Sequence, residues 1–124
     1  MGGKRGMSKK VNNEPVQNFR ELVERYKGFG ENIAFKYKQK GKILSVTYKQ
    51  YTEDIRALGT AILNLGVEKI AVIGNNRYEW CTSYIAVTTA GKIIIPLDKA
   101  LTDKEIVKLI KRRCLPRRTL LLLR

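Results

Sequence analysis

The sequence predicts an α/β fold: a partial doubly wound parallel layer of helix, strand, helix, strand and helix over residues 47–112, preceded by an N-terminal helix and a β-hairpin. Three observations carry this. Ile70–Ile73 is a short apolar run, too continuous for a half-exposed strand, and such runs suit strands covered on both faces. Gly74 then interrupts it, and Trp80, Tyr84, Val87 and Gly91 recur at helical spacing, with Ile85 and Ala86 widening the stripe. Ile93–Ile95 is a second apolar run, ended by Pro96, which has no N–H to give to a ladder. Two buried strands separated by one helix imply a parallel pair with a crossover connection.

The other elements follow in chain order. Residues 1–14 hold almost nothing to bury and read as a disordered basic tail, with Met7 an alternative start to Met1. Pro15 suits a first helical turn, and Phe19, Leu22, Val23 and Tyr26 share one face of a short helix that ends near Gly28. Ile33, Phe35 and Tyr37 alternate with Ala34, Lys36 and Lys38, the period of a half-buried strand. Gln39–Lys42 is a turn with positive φ expected at Gly41, and Ile43, Leu44 and Val46 continue into a second strand. The lysines of this hairpin read as a solvated edge that discourages strand-to-strand pairing. Thr47 and Gln50 have capping-box spacing. They open a helix with the apolar stripe Tyr51, Ile55, Leu58, Ile62 and Leu65, with Glu53, Asp54, Arg56 and Asn64 facing away and Gly66 as its stop. Asn76 and Glu79 make a second capping box for a helix over 77–90, stopped by Gly91. Thr102 and Glu105 make a third, before a helix with Ile106, Leu109 and Ile110 on its face. The text then changes abruptly over 113–124 to a basic, leucine-rich run. A frameshift or a mispredicted coding end accounts for that change, and Thr119–Leu123 can still occupy a strand position at the sheet edge.

The stretch I-A-V-I-G-N-N-R-Y-E-W (residues 70–80), followed by a helix and then I-I-I-P-L-D-K (93–99), resembles the AMP-forming acyl-CoA synthetases of the long-chain fatty acid–CoA ligase type. The resemblance runs from about Phe19 to Arg112 and covers only the opening of such an enzyme. It implies three parts: a tail at 1–14, the N-terminal part of a synthetase large domain at 15–112, and an aberrant tail at 113–124. It also implies the family reaction, ATP-dependent acyl adenylation and then thioesterification to CoA, with ATP, magnesium and CoA as the full enzyme's ligands. The family's Ser/Thr/Gly-rich phosphate loop, aromatic–Gly–x–Thr–Glu stretch, ribose-binding Asp and C-terminal Lys do not occur in this sequence. No catalytic, cofactor-binding or metal-binding residue is therefore carried over, and the chain alone is expected to be inactive.

Charge and composition weigh the alternatives. The chain has 124 residues, 44% of them hydrophobic, enough for one small domain. Of its net charge of +14, four units lie in residues 1–10 and six in 111–124, so the body carries only four. That distribution disfavours a second reading, a small basic nucleic-acid-binding module, and no specific nucleic-acid partner is expected. A third reading is a scaffold half that pairs with a separately encoded remainder of the synthetase. Cys81 and Cys114 are too few for a disulfide framework, Cys81 reads as a small packing residue, and there is no histidine. No apolar run approaches the roughly 20 residues of a membrane helix. Met1-Gly2 lacks the Ser or Thr that myristoylation wants at position 6, no secretory segment follows, and a cytoplasmic location is expected. The one candidate binding feature is the turn Gly74-Asn75-Asn76. It lies between a strand end and a helix start, where open α/β sheets take up anions. Neither G-x-G-x-x-G nor the Walker pattern is present, so Asn75 and Asn76 read more simply as a turn residue and a cap.

Overall fold

The computed structural model describes residues 13–113 and 119–123. The basic segment 1–12, the linker 114–118 with Cys114, and Arg124 lie outside the described residues. The expected elements are present in the expected order, as a two-stranded antiparallel hairpin and a three-stranded parallel sheet with four helices.

Helix α1 (Phe19–Lys27) starts later than Pro15 suggested. Asn18 is its N-cap, accepting from the Glu21 N–H at 3.0 Å, while the Glu21 carboxylate accepts from the Gln17 N–H at 2.9 Å. This polar cap wins over proline's preference for the first turn. The helix is fixed at its far side by Arg20, whose Nε donates to the Thr89 carbonyl at 2.9 Å. A cation at a helix C-terminus also meets the negative end of the backbone dipole.

Strands β1 (Ile33–Gln39) and β2 (Lys42–Thr47) pair from Gln39 opposite Lys42 back to Ile33 opposite Thr47, with a register shift between Ile33 and Phe35. Lys40 and Gly41 form the two-residue turn, both at positive φ, as a type I′ turn requires. Phe35 and Tyr37 pack against the core, and Val46 is buried. Ile43, Leu44 and Val46 lie in this second strand as expected, with Ile43 73% exposed. Ile43 pairs opposite Lys38 and so shares that residue's solvent face, whereas Val46 pairs opposite Phe35 and shares its inner face.

Helix α2 (Tyr48–Leu65) is capped by the Thr47 hydroxyl, which accepts from the Gln50 N–H at 3.1 Å. Only half the expected box forms, because the Gln50 amide donates to Asp54 at 2.7 Å instead. Tyr51, Ile55 and Ile62 are buried, Leu58 is half-buried, and Leu65, in the last turn, is exposed. Gly66 closes the helix at φ 67°. Gly59 is buried where α2 crosses α3, with the Ala86 carbonyl 3.7 Å from where a Cβ would stand.

Strand β3 (Lys69–Ile73) lies between β4 (Ile93–Leu97) and β5 (Thr119–Leu123) and is parallel to both. Ile70 to Ile73 are each 3% exposed or less, as the unbroken apolar run implied. Ile70 and Val72 join the core cluster with Tyr51, Ile55, Ile62, Ile85 and Val87, and Ala71 and Ile73 alternate onto the opposite face. Strand β4 is less covered than expected: Ile93 is 55% exposed and Ile94, Ile95 and Leu97 are half-buried, because β4 is an edge of the described sheet. Pro96 lies inside this strand, opposite Val72, and does not end it. The Ile93 N–H donates to the Glu68 carbonyl, so along a parallel ladder the odd-numbered residues of β4 face β3 and the even-numbered ones face outward. The missing N–H of Pro96 thus falls on the outer edge, where no ladder bond is lost. Helix α3 (Tyr78–Thr89) connects β3 to β4 and ends at Gly91, φ 76°. Helix α4 (Asp103–Arg113) forms the full reciprocal box: Glu105 accepts from the Thr102 N–H at 2.8 Å, and the Thr102 hydroxyl accepts from the Glu105 N–H at 3.3 Å. Ile106 is its buried anchor.

Two glycine substitutions test these assignments with opposite signs. Gly59→Ala adds a methyl at ordinary contact distance inside a helix and should raise the unfolding free energy by about 0.5–1 kcal/mol. Gly66→Ala meets no neighbour but must hold positive φ, and should lower it by about 1 kcal/mol. Urea unfolding midpoints measure both.

Candidate functional site at the carboxyl ends of the parallel strands

The chain leaves β3 toward β4 on one side, then leaves β4 and crosses back to β5 on the other side of β3. Open α/β sheets bind ligands in the crevice at such a reversal, outside the carboxyl ends of the strands. The turn after β3 and the loop after β4 lie side by side at that end of the sheet. The two are joined directly: the Lys99 ammonium donates to the Asn75 side-chain oxygen at 2.7 Å. The second loop is shaped by Asp98, which accepts from the Ala100 N–H at 2.9 Å.

The first turn corrects the expected capping box. The Arg77 N–H donates to the Asn75 carbonyl at 2.7 Å, which tightens the turn and delays the helix by one residue. Arg77, in extended conformation, becomes the N-cap, and its side chain makes no capping bond. Asn76 is left one position outside the helix, too early to serve the amides it was expected to cap. Asn75 has its own oxygen engaged by Lys99. A hollow of about 420 Å³ opens beside this helix start, bounded by Phe35–Lys40 of the hairpin and by Asn76–Glu79.

The serine and threonine hydroxyls of α3 are engaged within the helix. The hydroxyls of Thr82, Ser83, Thr88 and Thr89 donate to carbonyls one turn back in their own helix, at 2.7–2.9 Å. The Tyr78 hydroxyl donates to the Asp54 carboxylate, which turns Asp54 inward from the solvent-facing position expected for it. Burial, and then this bond, push the Tyr78 phenol well above the ordinary tyrosine range, and burial does the same for Tyr51. Cys81 is half-buried, and burial raises its thiol. A raised thiol holds little thiolate, which agrees with a packing role. Among the described residues, no three His, Cys, Asp or Glu side chains gather as a metal would need. No helix among them is long and apolar enough to cross a membrane. Among the described residues, the α3 serine and threonine hydroxyls are bonded to their own helix and so are not presented to a magnesium–nucleotide group.

Sequence reading located the turn but missed both side-chain links. Lys99–Asn75 and Tyr78–Asp54 each join residues 24 apart. No local spacing rule reaches that far, and only the placement of the strands and helices brings the partners together.

The element order and the parallel sheet define an α/β layer of the doubly wound class. The AMP-binding enzyme family matches residues 22–114, and the chain belongs to that family. A long-chain-fatty-acid–CoA ligase of Xenopus laevis is 31% identical over 78 residues, which cover 60% of this chain and 10% of the relative. One of Rattus norvegicus is 32% identical over 81 residues, covering 63% and 11%. The chain thus spans about a tenth of the length of the curated relatives it matches. Among solved structures, the fatty acid AMP ligase from Legionella pneumophila superposes with a TM-score of 0.70 at 14% identity, over 87% of this chain and 20% of that one. That likeness establishes the fold.

The buried phenols predict a pH response. Folding favours the neutral forms of Tyr51 and Tyr78, so their contribution is fully present below about pH 10, the ordinary tyrosine pKa. It is lost progressively as pH rises from there toward the raised folded values. Urea midpoints should fall between pH 9 and 11, about the range set by that pKa. The fall should be shallower in a Tyr51→Phe/Tyr78→Phe variant.

Proposed function

We propose that this chain is the N-terminal portion of an AMP-forming, long-chain fatty acid–CoA ligase, and that it contributes architecture to that enzyme and no catalytic group. The observation that carries the reading is the family match over residues 22–114, set against relatives of which the aligned part is only 10–11%. In this reading the whole enzyme adenylates a fatty acid with ATP and magnesium and then passes the acyl group to CoA. The present chain supplies the first parallel layer, against which the remainder of the synthetase packs. None of its residues is assigned a catalytic, cofactor or metal role. The hydroxyls of α3 bond to its own carbonyls, and the turn after β3 is tied by Lys99, which supports a structural part for both.

The test has two arms. The 124-residue chain alone should release no pyrophosphate from ATP in the presence of a long-chain fatty acid. Grafted in place of the corresponding segment of a long-chain fatty acid–CoA ligase, it should preserve that ligase's fatty-acid-dependent pyrophosphate release to within about tenfold, a loss of no more than about 1.4 kcal/mol in transition-state stabilisation. Adenylation by the chain alone, or a folded but inactive graft, would defeat the reading.

A further inference from the structure

Residues 32–52 contain five lysines and no acid. Lys49 approaches Glu31 at 3.9 Å, and Lys36, Lys38, Lys40 and Lys42 have no ion pair among the described residues. The β1–β2 register puts Lys38 opposite Ile43 and Lys36 opposite Ser45, so Lys36, Lys38 and Ile43 share the solvent face of the hairpin, with Lys40 in the turn at its end and Lys42 opposite Gln39 on the other face. Ile43 is 73% exposed, and Leu44 beside it is 37% exposed. Single exposed apolar residues are ordinary. This one differs in its setting, a β-branched side chain held on a tight hairpin within an unpaired basic field. Lysines that reach anionic headgroups around an apolar residue that enters the boundary are the two components of peripheral membrane binding.

We propose that the β1–β2 hairpin docks on an anionic lipid surface, with Lys36, Lys38 and Lys40 on the headgroups and Ile43 inserted at the headgroup–acyl boundary. The charge favours this occupant over a second copy of the chain, because two such faces would bring like charges together. The apolar tip favours it over nucleic acid. Binding of single strands draws on exposed aromatic rings, and here Phe35 and Tyr37 pack inward on the core. The inference goes beyond the ligase reading and does not depend on it, since vesicle binding is measured without turnover.

The experiment is co-sedimentation of the full 124-residue chain with phosphatidylserine-containing vesicles and with pure phosphatidylcholine vesicles. Binding should favour the anionic vesicles at least tenfold and weaken as salt is raised. The basic segments 1–10 and 111–124 respond to salt as well, so the deciding variants leave charge unchanged. Ile43→Ser should lower partition onto anionic vesicles by about tenfold, with affinity for a single-stranded oligonucleotide unaltered. Ile43→Phe should raise that partition. Lys38→Gln and Lys40→Gln should each lower it by about fivefold. Far-UV circular dichroism of the Ile43 variants should match the parent, since the side chain is exposed. Vesicle binding unchanged in both Ile43 variants overturns the proposal. So does equal binding to both vesicle types, or displacement of the chain from vesicles by the oligonucleotide.

Discussion

The structure depends on the complete burial of one strand. Ile70, Ala71, Val72 and Ile73 are at or near zero exposure, and a strand can be that dry only if both faces and both edges are occupied. The parallel partners β4 and β5 satisfy its backbone on either side. Helices α2 and α3 cover the face that carries Ile70 and Val72. A parallel neighbour requires a long crossover, so the choice of a buried strand entails the helix between β3 and β4. The reversal of strand order has the same origin. With β4 on one side of β3, the strand that fills the other side must arrive by a connection running back across the sheet end. The candidate site is thus a consequence of how the central strand is covered.

The elements that were legible in the sequence were those set by side-chain periodicity and by glycine. The run 70–73, the stripe Tyr51–Ile55–Ile62 and the stops at Gly66 and Gly91 each express a local rule, and each is found in place. The three capping boxes show where local rules end. Thr102 and Glu105 satisfy each other. Gln50 is drawn away by Asp54, and Asn76 is displaced by a one-residue delay in the helix. Spacing predicts which partners can meet, and the surrounding structure decides which do. Exposure at the edges was illegible for a related reason. Ile93 and Ile43 have the composition of buried strand residues, and their burial depends on neighbours that a one-dimensional pattern does not contain.

A cluster of aromatic rings joins the hairpin to the parallel layer. Phe35 meets Tyr51 and Tyr78 edge-on, with centroids 4.9 and 5.2 Å apart, and Tyr51 contacts Tyr26 of α1 at 5.6 Å. Such pairs add roughly 0.5–1.5 kcal/mol each beyond the area they bury. They also explain why Asp54 turns inward. Tyr78 is held in place by Phe35 and Tyr51, its hydroxyl needs an acceptor, and Asp54 of the neighbouring helix supplies one. Two helices and a hairpin that share few backbone bonds are thereby held in one orientation.

The bond from Arg20 to the Thr89 carbonyl spans 69 residues and sets an order of events on the ribosome. At a synthesis rate of about 5–20 residues per second, α1 emerges roughly 3–14 seconds before the helix end that anchors it. Its ring partner Tyr84, 6.0 Å from Phe19, is almost as late. A nine-residue helix is too short to persist alone in water. Through that interval α1 has only its contacts with α2, where Tyr26 meets Tyr48 and Tyr51, to hold it. The outer anchorage of α1 is therefore completed only after α3 has been made, and the far edge of β3 later still, when β5 arrives.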